Sequence, residues 1–312
     1  MITPAALRTA YATGSTIRLA TSGTSGRPRW VLRTAASWVD SFPLVADLCA
    51  LDRTSRAWVP GPPSASMNAY AVCLLDHVAA ELVASPADAT HAFCTPAALP
   101  ALLDDDLGPL VLVVAGDRLS PALADRAEAA GHTVHHYYGA AQLSFVGWGR
   151  DADSLRIFPE VLATVRNGTL WVSSPWLCLG EEGDPPVLRT QDRDGRVWMS
   201  VGDRGAVTPE GRVVVAGRPD AVTTGGVTVV LADVEAALRP YARGEVVVVG
   251  RPHPRLGAVL VAICTDPADA VELPAAARRV LPGSHRPRHW SVRAELPVTG
   301  AGKVDRDRIA TR

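Results

Sequence analysis

The sequence predicts an α/β protein: a large core joining a parallel α/β sheet to an antiparallel β region, then a small α+β domain. Three observations carry that reading. Residues 110–115 form an unbroken apolar run, the pattern of a parallel strand buried on both faces. Up to residue 137 such runs alternate with helix-like stretches, which builds a doubly wound sheet with right-handed crossovers. Between 157 and 231 short strands crowd together around Asn167-Gly168, Asp194-Gly195 and Glu210-Gly211, turn pairs that favour hairpins. A third texture starts near Asp220 and runs for roughly ninety residues, the size of a small domain. The expected division is therefore 1–219 and 220–312.

Taken in order, Thr16-Ile17-Arg18-Leu19-Ala20 alternates and is β-branched enough for a strand. A polar loop follows over 21–29, then a short strand at 30–32. Residues 34–51 read as a helix interrupted near Pro43, and 57–60 as a strand leaving through Gly61-Pro62-Pro63. The dense apolar stretch 67–84 predicts a buried helix. A short strand is expected at 92–94, and a helix at 96–103 with proline in its first turn. Helix 121–130 has Ser120 as its N-cap and Gly131 beyond its end, and 133–137 is the next strand. In the final domain the pattern gives helix 232–241, strands 245–249 and 259–264, helix 274–281 and a polar tail.

Composition narrows the function. The 312 residues are 47% hydrophobic and 20% charged, a globular balance. Lysine and arginine number 31 against 32 aspartate and glutamate, with no dense basic run, so no nucleic-acid partner is expected. The five cysteines, Cys49, Cys73, Cys94, Cys178 and Cys264, are scattered without ligand spacing and read as reduced core residues. No stretch approaches a membrane span and the start lacks a leader's apolar centre, so a cytoplasmic protein is expected. His135, His136 and Trp290 read as packing residues, since no metal-like spacing surrounds them.

The chemistry gathers first at Thr21-Ser22-Gly23-Thr24-Ser25-Gly26-Arg27-Pro28-Arg29. Glycines let a backbone turn sharply and approach a ligand, and successive N–H groups then make an anion-binding nest. Ser22, Thr24 and Ser25 add hydroxyl donors and Arg29 a permanent charge, which suits a polyphosphate. The stretch has neither the Gly-Lys-Ser/Thr ending of a Walker loop nor dinucleotide-fingerprint spacing. A plain Ser/Gly-rich surface turn would have the same composition.

This stretch resembles the phosphate-binding loop of the adenylate-forming (ANL) superfamily: acyl-CoA synthetases, peptide-synthetase adenylation domains and luciferases. That loop reads Thr-Ser-Gly-Thr-Thr-Gly-x-Pro-Lys; Ser25 stands at the second Thr of the pair and Arg29 at the Lys. Four further motifs follow in the superfamily's order. Gly116-Asp117-Arg118-Leu119-Ser120 is similar to its Gly-Gly-x-x-Leu turn, which lines the acyl and adenine pockets. Tyr138-Gly139-Ala140-Ala141-Gln142 resembles its Tyr-Gly-x-Thr-Glu, whose Tyr packs on adenine and whose Glu holds Mg²⁺. Here Ala141 replaces the Thr and Gln142 the Glu, a weaker ligand for a hard dication than a carboxylate. Gly202-Asp203 matches Thr-Gly-Asp with Val201 at the Thr, and Gly217-Arg218-Pro219-Asp220 matches Gly-Arg-x-Asp. Those place Asp203 and Arg218 on the ribose and Asp220 at the interdomain hinge. Finally Leu296-Pro297-Val298-Thr299-Gly300-Ala301-Gly302-Lys303-Val304-Asp305-Arg306 matches Leu-Pro-x-Thr-x-x-Gly-Lys-x-x-Arg, with Lys303 as catalytic lysine.

The resemblance implies the ANL fold, with a mobile C-terminal domain, and a two-step reaction. A carboxylic acid attacks ATP to give acyl-AMP, and a thiol then takes the acyl group. The implied small molecules are ATP/AMP, Mg²⁺ and CoA, or the phosphopantetheine of a carrier protein. Delivery to a carrier protein or an amine stays open, as does a non-catalytic relative that only binds the nucleotide. Only twenty residues precede the phosphate loop, so the superfamily's first subdomain is expected to be largely missing, and a homodimer is one way to cap the core left open.

Overall fold

The structure is a computed structural model that describes residues 2–21, 29–182, 188–217, 221–297 and 306–310. Its backbone divides into two compact units, one within residues 1–21 and 29–217 and one that includes 221–297 and 306–310.

The first unit is built on a seven-stranded sheet. Across it run Glu81–Val83, Arg56–Trp58, His91–Cys94, Val111–Val114, Thr133–Ala140, Ser144–Gly149 and Arg156–Ile157. The first five are parallel and the last two antiparallel. Strand order reverses between Arg56–Trp58 and His91–Cys94, so the sheet is doubly wound, and such sheets place ligands beyond the carboxyl ends of their strands. The apolar run at 110–115 supplies the strand Val111–Val114, with Leu112, Val113 and Val114 buried. Helix Pro121–Ala129 begins where Ser120 accepts the N–H of Leu123, as its N-cap pattern predicts.

A six-stranded antiparallel sheet follows, centred on Thr169–Ser173 and Arg196–Ser200, with hairpin turns through positive-φ Asn167, Gly168, Asp194 and Gly195. A smaller sheet pairs Thr16–Thr21 with Arg29–Thr34, and the latter with Gly180–Glu182, all antiparallel. The second unit holds a five-stranded sheet in which Val246–His253 pairs along its whole length with Gly257–Cys264. Helices Leu231–Leu238 and Pro267–Val280 cover it through Val234, Leu238, Leu273 and Ala277.

Several elements differ from expectation. The helix expected over 67–84 is Ser66–Val78; it stops at Ala79, in the left-handed region at φ 59°, and the apolar run continues as the edge strand Glu81–Val83. The helix expected at 274–281 is Pro267–Val280, started by Asp266 accepting the N–H of Ala268, with Pro274 inside it. The interruption expected near Pro43 is present: 34–51 holds two short helices, Ala36–Val39 and Phe42–Leu48, the second with Pro43 in its first turn. An additional helix, Pro4–Thr13, is capped by Thr3 and by Gly14 at φ 64°. Among the described residues no helix is long and apolar enough to cross a membrane.

Candidate functional site

Two adjacent tyrosines at the end of strand Thr133–Ala140 go to opposite faces, as strand geometry requires. Tyr137 turns into the core, stacked at 8° on Trp148 and packed against Phe145; burial raises its hydroxyl pKa. Tyr138 is half-buried, and its hydroxyl donates to Asp203 Oδ2 at 2.6 Å. Sixty-five residues apart in sequence, these two motif residues are brought together by the meeting of two sheets. Asp203 is fixed by its backbone: its carbonyl accepts the N–H of Leu170, and Gly202 before it adopts φ +86°. The neighbouring Gly202 N–H donates to Ser200 Oγ, and Ser200 is fully buried.

The Tyr138–Gln142 segment closes a tight hairpin. A register shift falls between Tyr138 and Gly139, and Ala140 pairs with Ser144. A Cβ on Gly139 would meet the carbonyl oxygen of Ser144 at 2.3 Å, so only glycine allows this approach. Ser144 itself stands at φ +60°. The Gln142 carbonyl accepts the N–H of Cys178, which ties the hairpin to the segment leading into Gly180–Glu182.

Gln142 is 8% exposed and its Nε2 donates to Glu181 Oε1 at 3.3 Å, while Glu181 Oε2 accepts the N–H of Leu188. A carboxylate therefore lies beside the position where the sequence has lost one. Nothing in the sequence marks Glu181; the pairing of Gly180–Glu182 with Arg29–Thr34 and the bond from the Cys178 N–H to the Gln142 carbonyl bring it here. Mg²⁺ is commonly held by one or two carboxylates and substrate phosphates. Glu181 with the amide oxygen of Gln142 is an oxygen donor set of that kind. Among the described residues no group of three or more His, Cys, Asp or Glu side chains could hold a metal by itself.

Gly116 follows the central parallel strand at φ +87°, and Leu119 anchors the turn in the core. Asp117 Oδ1 accepts the N–H of Arg118, and burial raises its pKa. The phosphate-loop residues Ser22, Gly23, Thr24, Ser25 and Gly26, the ribose candidate Arg218, the hinge candidate Asp220 and the catalytic candidate Lys303 lie outside the described residues. The strands that flank the phosphate loop pair with each other through Thr21 and Arg29. Past Lys303, Arg306 donates to both oxygens of Glu235, Nη2 to Oε2 at 3.0 Å, and to the carbonyl of Val248.

All five cysteines are free and buried, as their scatter predicts. Burial pushes the thiols of Cys49, Cys73 and Cys94 up to about 12, far from the thiolate a nucleophile or ligand needs.

Residues 233–303 match the AMP-binding enzyme C-terminal domain. The chain is similar to a probable 2-succinylbenzoate–CoA ligase of Mycobacterium tuberculosis, 30% identical over 332 residues that cover 94% of this chain and 83% of the relative. It is also similar to an uncharacterized acyl–CoA ligase, YhfT, of Bacillus subtilis, 26% identical across 93% of this chain and 67% of that one. Among solved structures, an amide bond synthetase, McbA, from Marinactinospora thermotolerans shares the fold with a TM-score of 0.78 at 22% identity, over 94% of this chain and 68% of its own.

Proposed function

The chain belongs to the adenylate-forming superfamily, and from that premise we propose that it is an acyl-CoA ligase acting on a small carboxylic acid. In the first half-reaction a carboxylate oxygen attacks the α-phosphorus of ATP. A mixed anhydride bond forms, the bond to the β-phosphate oxygen breaks, and pyrophosphate leaves. In the second, the thiol of CoA attacks the acyl carbonyl, a thioester forms, and AMP departs with the electron pair of the broken bond.

The observation that carries this reading is the Tyr138–Asp203 hydrogen bond, which sets an aromatic face beside a carboxylate at the end of a parallel strand. A carboxylate accepts both hydroxyls of a ribose, and the ring beside it covers the base. Thr21 to Gly26 and Arg29 hold the phosphates through backbone N–H groups and positive charge, with Gly116, Asp117, Gly139 and Ala140 lining the base and acyl pockets. Arg218 reaches the ribose and Asp220 serves as the hinge. Lys303 places a cation between the attacking carboxylate and the α-phosphate, where charge builds in the transition state. Glu181 and Gln142 would hold Mg²⁺, which neutralises phosphate charge when bound.

Acid-dependent exchange of pyrophosphate into ATP, run over a panel of carboxylic acids, tests this. Exchange with one acid class, followed by thioester formation on added CoA, is expected. Exchange with transfer only to a carrier protein or an amine would replace CoA as the acceptor. AMP binding without exchange on any acid would leave a nucleotide-binding module, the outcome that the loss of the carboxylate at Gln142 favours.

A further inference from the structure

Among the described residues the largest fully buried side chain is a cation, Arg33, at 0% exposure in strand Arg29–Thr34. Its sequence neighbours Val31 and Leu32 give no hint of a special role, and a lone arginine at a strand end is ordinarily a surface residue. Here the guanidinium has four acceptors. Nε donates to Ser37 Oγ at 3.1 Å, Nη1 to the carbonyl of Ala141, and Nη2 to both Ser144 Oγ, at 2.7 Å, and the carbonyl of Trp176. Among the described residues none of these acceptors is a carboxylate. Burial draws the guanidinium down to about 10, so it stays cationic at neutral pH.

A charge taken out of water without a counter-ion is a costly way to fill space, and an apolar side chain of similar volume serves a core at least as well. What Arg33 has that an apolar residue lacks is a rigid planar fork of donors. Three of its four bonds reach across to a single neighbourhood. Ala141 and Ser144 bracket the hairpin after Tyr138, and Trp176 leads into the segment whose Cys178 N–H holds the Gln142 carbonyl. The hairpin needs holding. Ser144 sits at φ +60°, and Gly139 has the Ser144 carbonyl pressed against it. Backbone in such conformations persists only where its surroundings over-determine it. The strand carrying Arg33 also begins at Arg29, so the same strand borders both the phosphate loop and, through this fork, the hairpin of Tyr138.

We propose that Arg33 is a positioning residue for nucleotide binding, fixing the Tyr138–Ser144 hairpin in its strained, ligand-ready shape from behind. This rests on the reading of Tyr138 and Asp203 as the nucleoside site. Arg33 touches no ligand. It acts through the loop it holds, and its hydrogen-bond geometry, more than its charge, does the holding.

The guanidinium offers its own control, because its two hydroxyl partners belong to different segments, Ser37 to the short helix Ala36–Val39 and Ser144 to the hairpin. Ser144→Ala removes the hydroxyl on the hairpin, and Ser37→Ala removes the one on the short helix after the strand. Each leaves one donor of the same buried cation without its acceptor, so each lowers the thermal midpoint. AMP affinity, measured by calorimetry on the full chain, separates them. Ser144→Ala is expected to bind AMP about tenfold more weakly, the scale of one hydrogen bond to a charged group, and Ser37→Ala to stay within twofold of wild type. Arg33→Met, which fills the space without donors, and Arg33→Lys, which keeps the charge without the fork, are both expected to lose at least tenfold. Equal AMP affinity in Ser144→Ala and Ser37→Ala overturns the positioning role, as does full affinity in Arg33→Met. Wild-type affinity in Arg33→Lys overturns the geometric part of it. A wild-type protein that binds no AMP overturns the nucleoside site itself, and the inference with it.

Discussion

The hydrogen bond between Tyr138 and Asp203 makes a quantitative demand on nucleotide binding. Tyr138→Phe keeps the ring and removes the hydroxyl that donates at 2.6 Å to Oδ2. A hydrogen bond to a charged group is worth about 1.5–3 kcal/mol, and a half-buried carboxylate lies at the lower end because water reaches it in the free protein. If the phenol serves to orient Asp203 for the ribose, its loss should weaken AMP binding by about 1.4 kcal/mol, or tenfold. Asp203→Ala removes the acceptor of both ribose hydroxyls and should cost about 3 kcal/mol, or roughly a hundredfold. The double variant is the decisive measurement. Acting through Asp203, the phenol has nothing left to orient once the carboxylate is gone. Tyr138→Phe/Asp203→Ala should then bind AMP about as weakly as Asp203→Ala alone. Titration calorimetry of the four proteins gives the coupling. Free energies that add within about 0.5 kcal/mol, the behaviour of independent sites, would refute the proposed link, and unchanged affinity in Asp203→Ala would remove the ribose contact altogether.

The carboxylate beside Gln142 predicts opposite shifts in metal dependence. Glu181→Gln should raise the Mg²⁺ concentration for half-maximal pyrophosphate exchange, and Gln142→Glu should lower it; a requirement that moves in neither variant would mean the nucleotide phosphates hold the ion alone. In the second unit, Arg306→Ala leaves the 7% exposed Glu235 carboxylate without its bidentate partner. That should cost about 3 kcal/mol in urea unfolding, and part of it should return in Glu235→Gln/Arg306→Met, which buries neither charge and keeps an acceptor for the Val248 N–H. The buried histidines His91, His132, His136 and His285 all have pKa values lowered from 6.5 by burial. Unfolded, they take up protons near pH 6.5 while the folded protein still resists, so stability is present above that pH and lost as pH falls below it. The urea midpoint should be lower at pH 5.5 than at 7.5, and a midpoint that rises on acidification would contradict the assignment.

The parallel sheet was legible because a strand buried on both faces leaves a continuous apolar run, and 110–115 is such a run. Elsewhere one composition serves two structures. Apolar density over 67–84 fits a buried helix, but the same density serves a helix and the strand after it when the break at Ala79 is made without glycine. A helix over 274–281 would open on Pro274, a residue that a first turn tolerates. The chain instead starts that helix seven residues earlier, on the Asp266 cap. Both errors concern where an element ends, which depends on the backbone conformation of one residue and leaves little trace in composition.

The site divides along a different line. Tyr138, Gly139 and Asp203 could be singled out because each belongs to a short local pattern, and the chemistry of each type is plain in isolation. Arg33 and Glu181 belong to no such pattern. Their meaning comes from strand pairing: the alignment of Glu181 with Val31 and the return of the Ser144 hairpin over the same strand decide what surrounds them. An arginine read alone belongs in water and a glutamate on a surface strand, and both expectations are sound for most positions. They fail here because the loops proposed to bind the nucleotide are backbone structures, and the Tyr138–Ser144 hairpin holds strained conformations that its surroundings must enforce. A donor fork that satisfies carbonyls and hydroxyls on three segments does this better than apolar packing, which has no direction. A residue of this kind is visible only after the fold has been assembled around it.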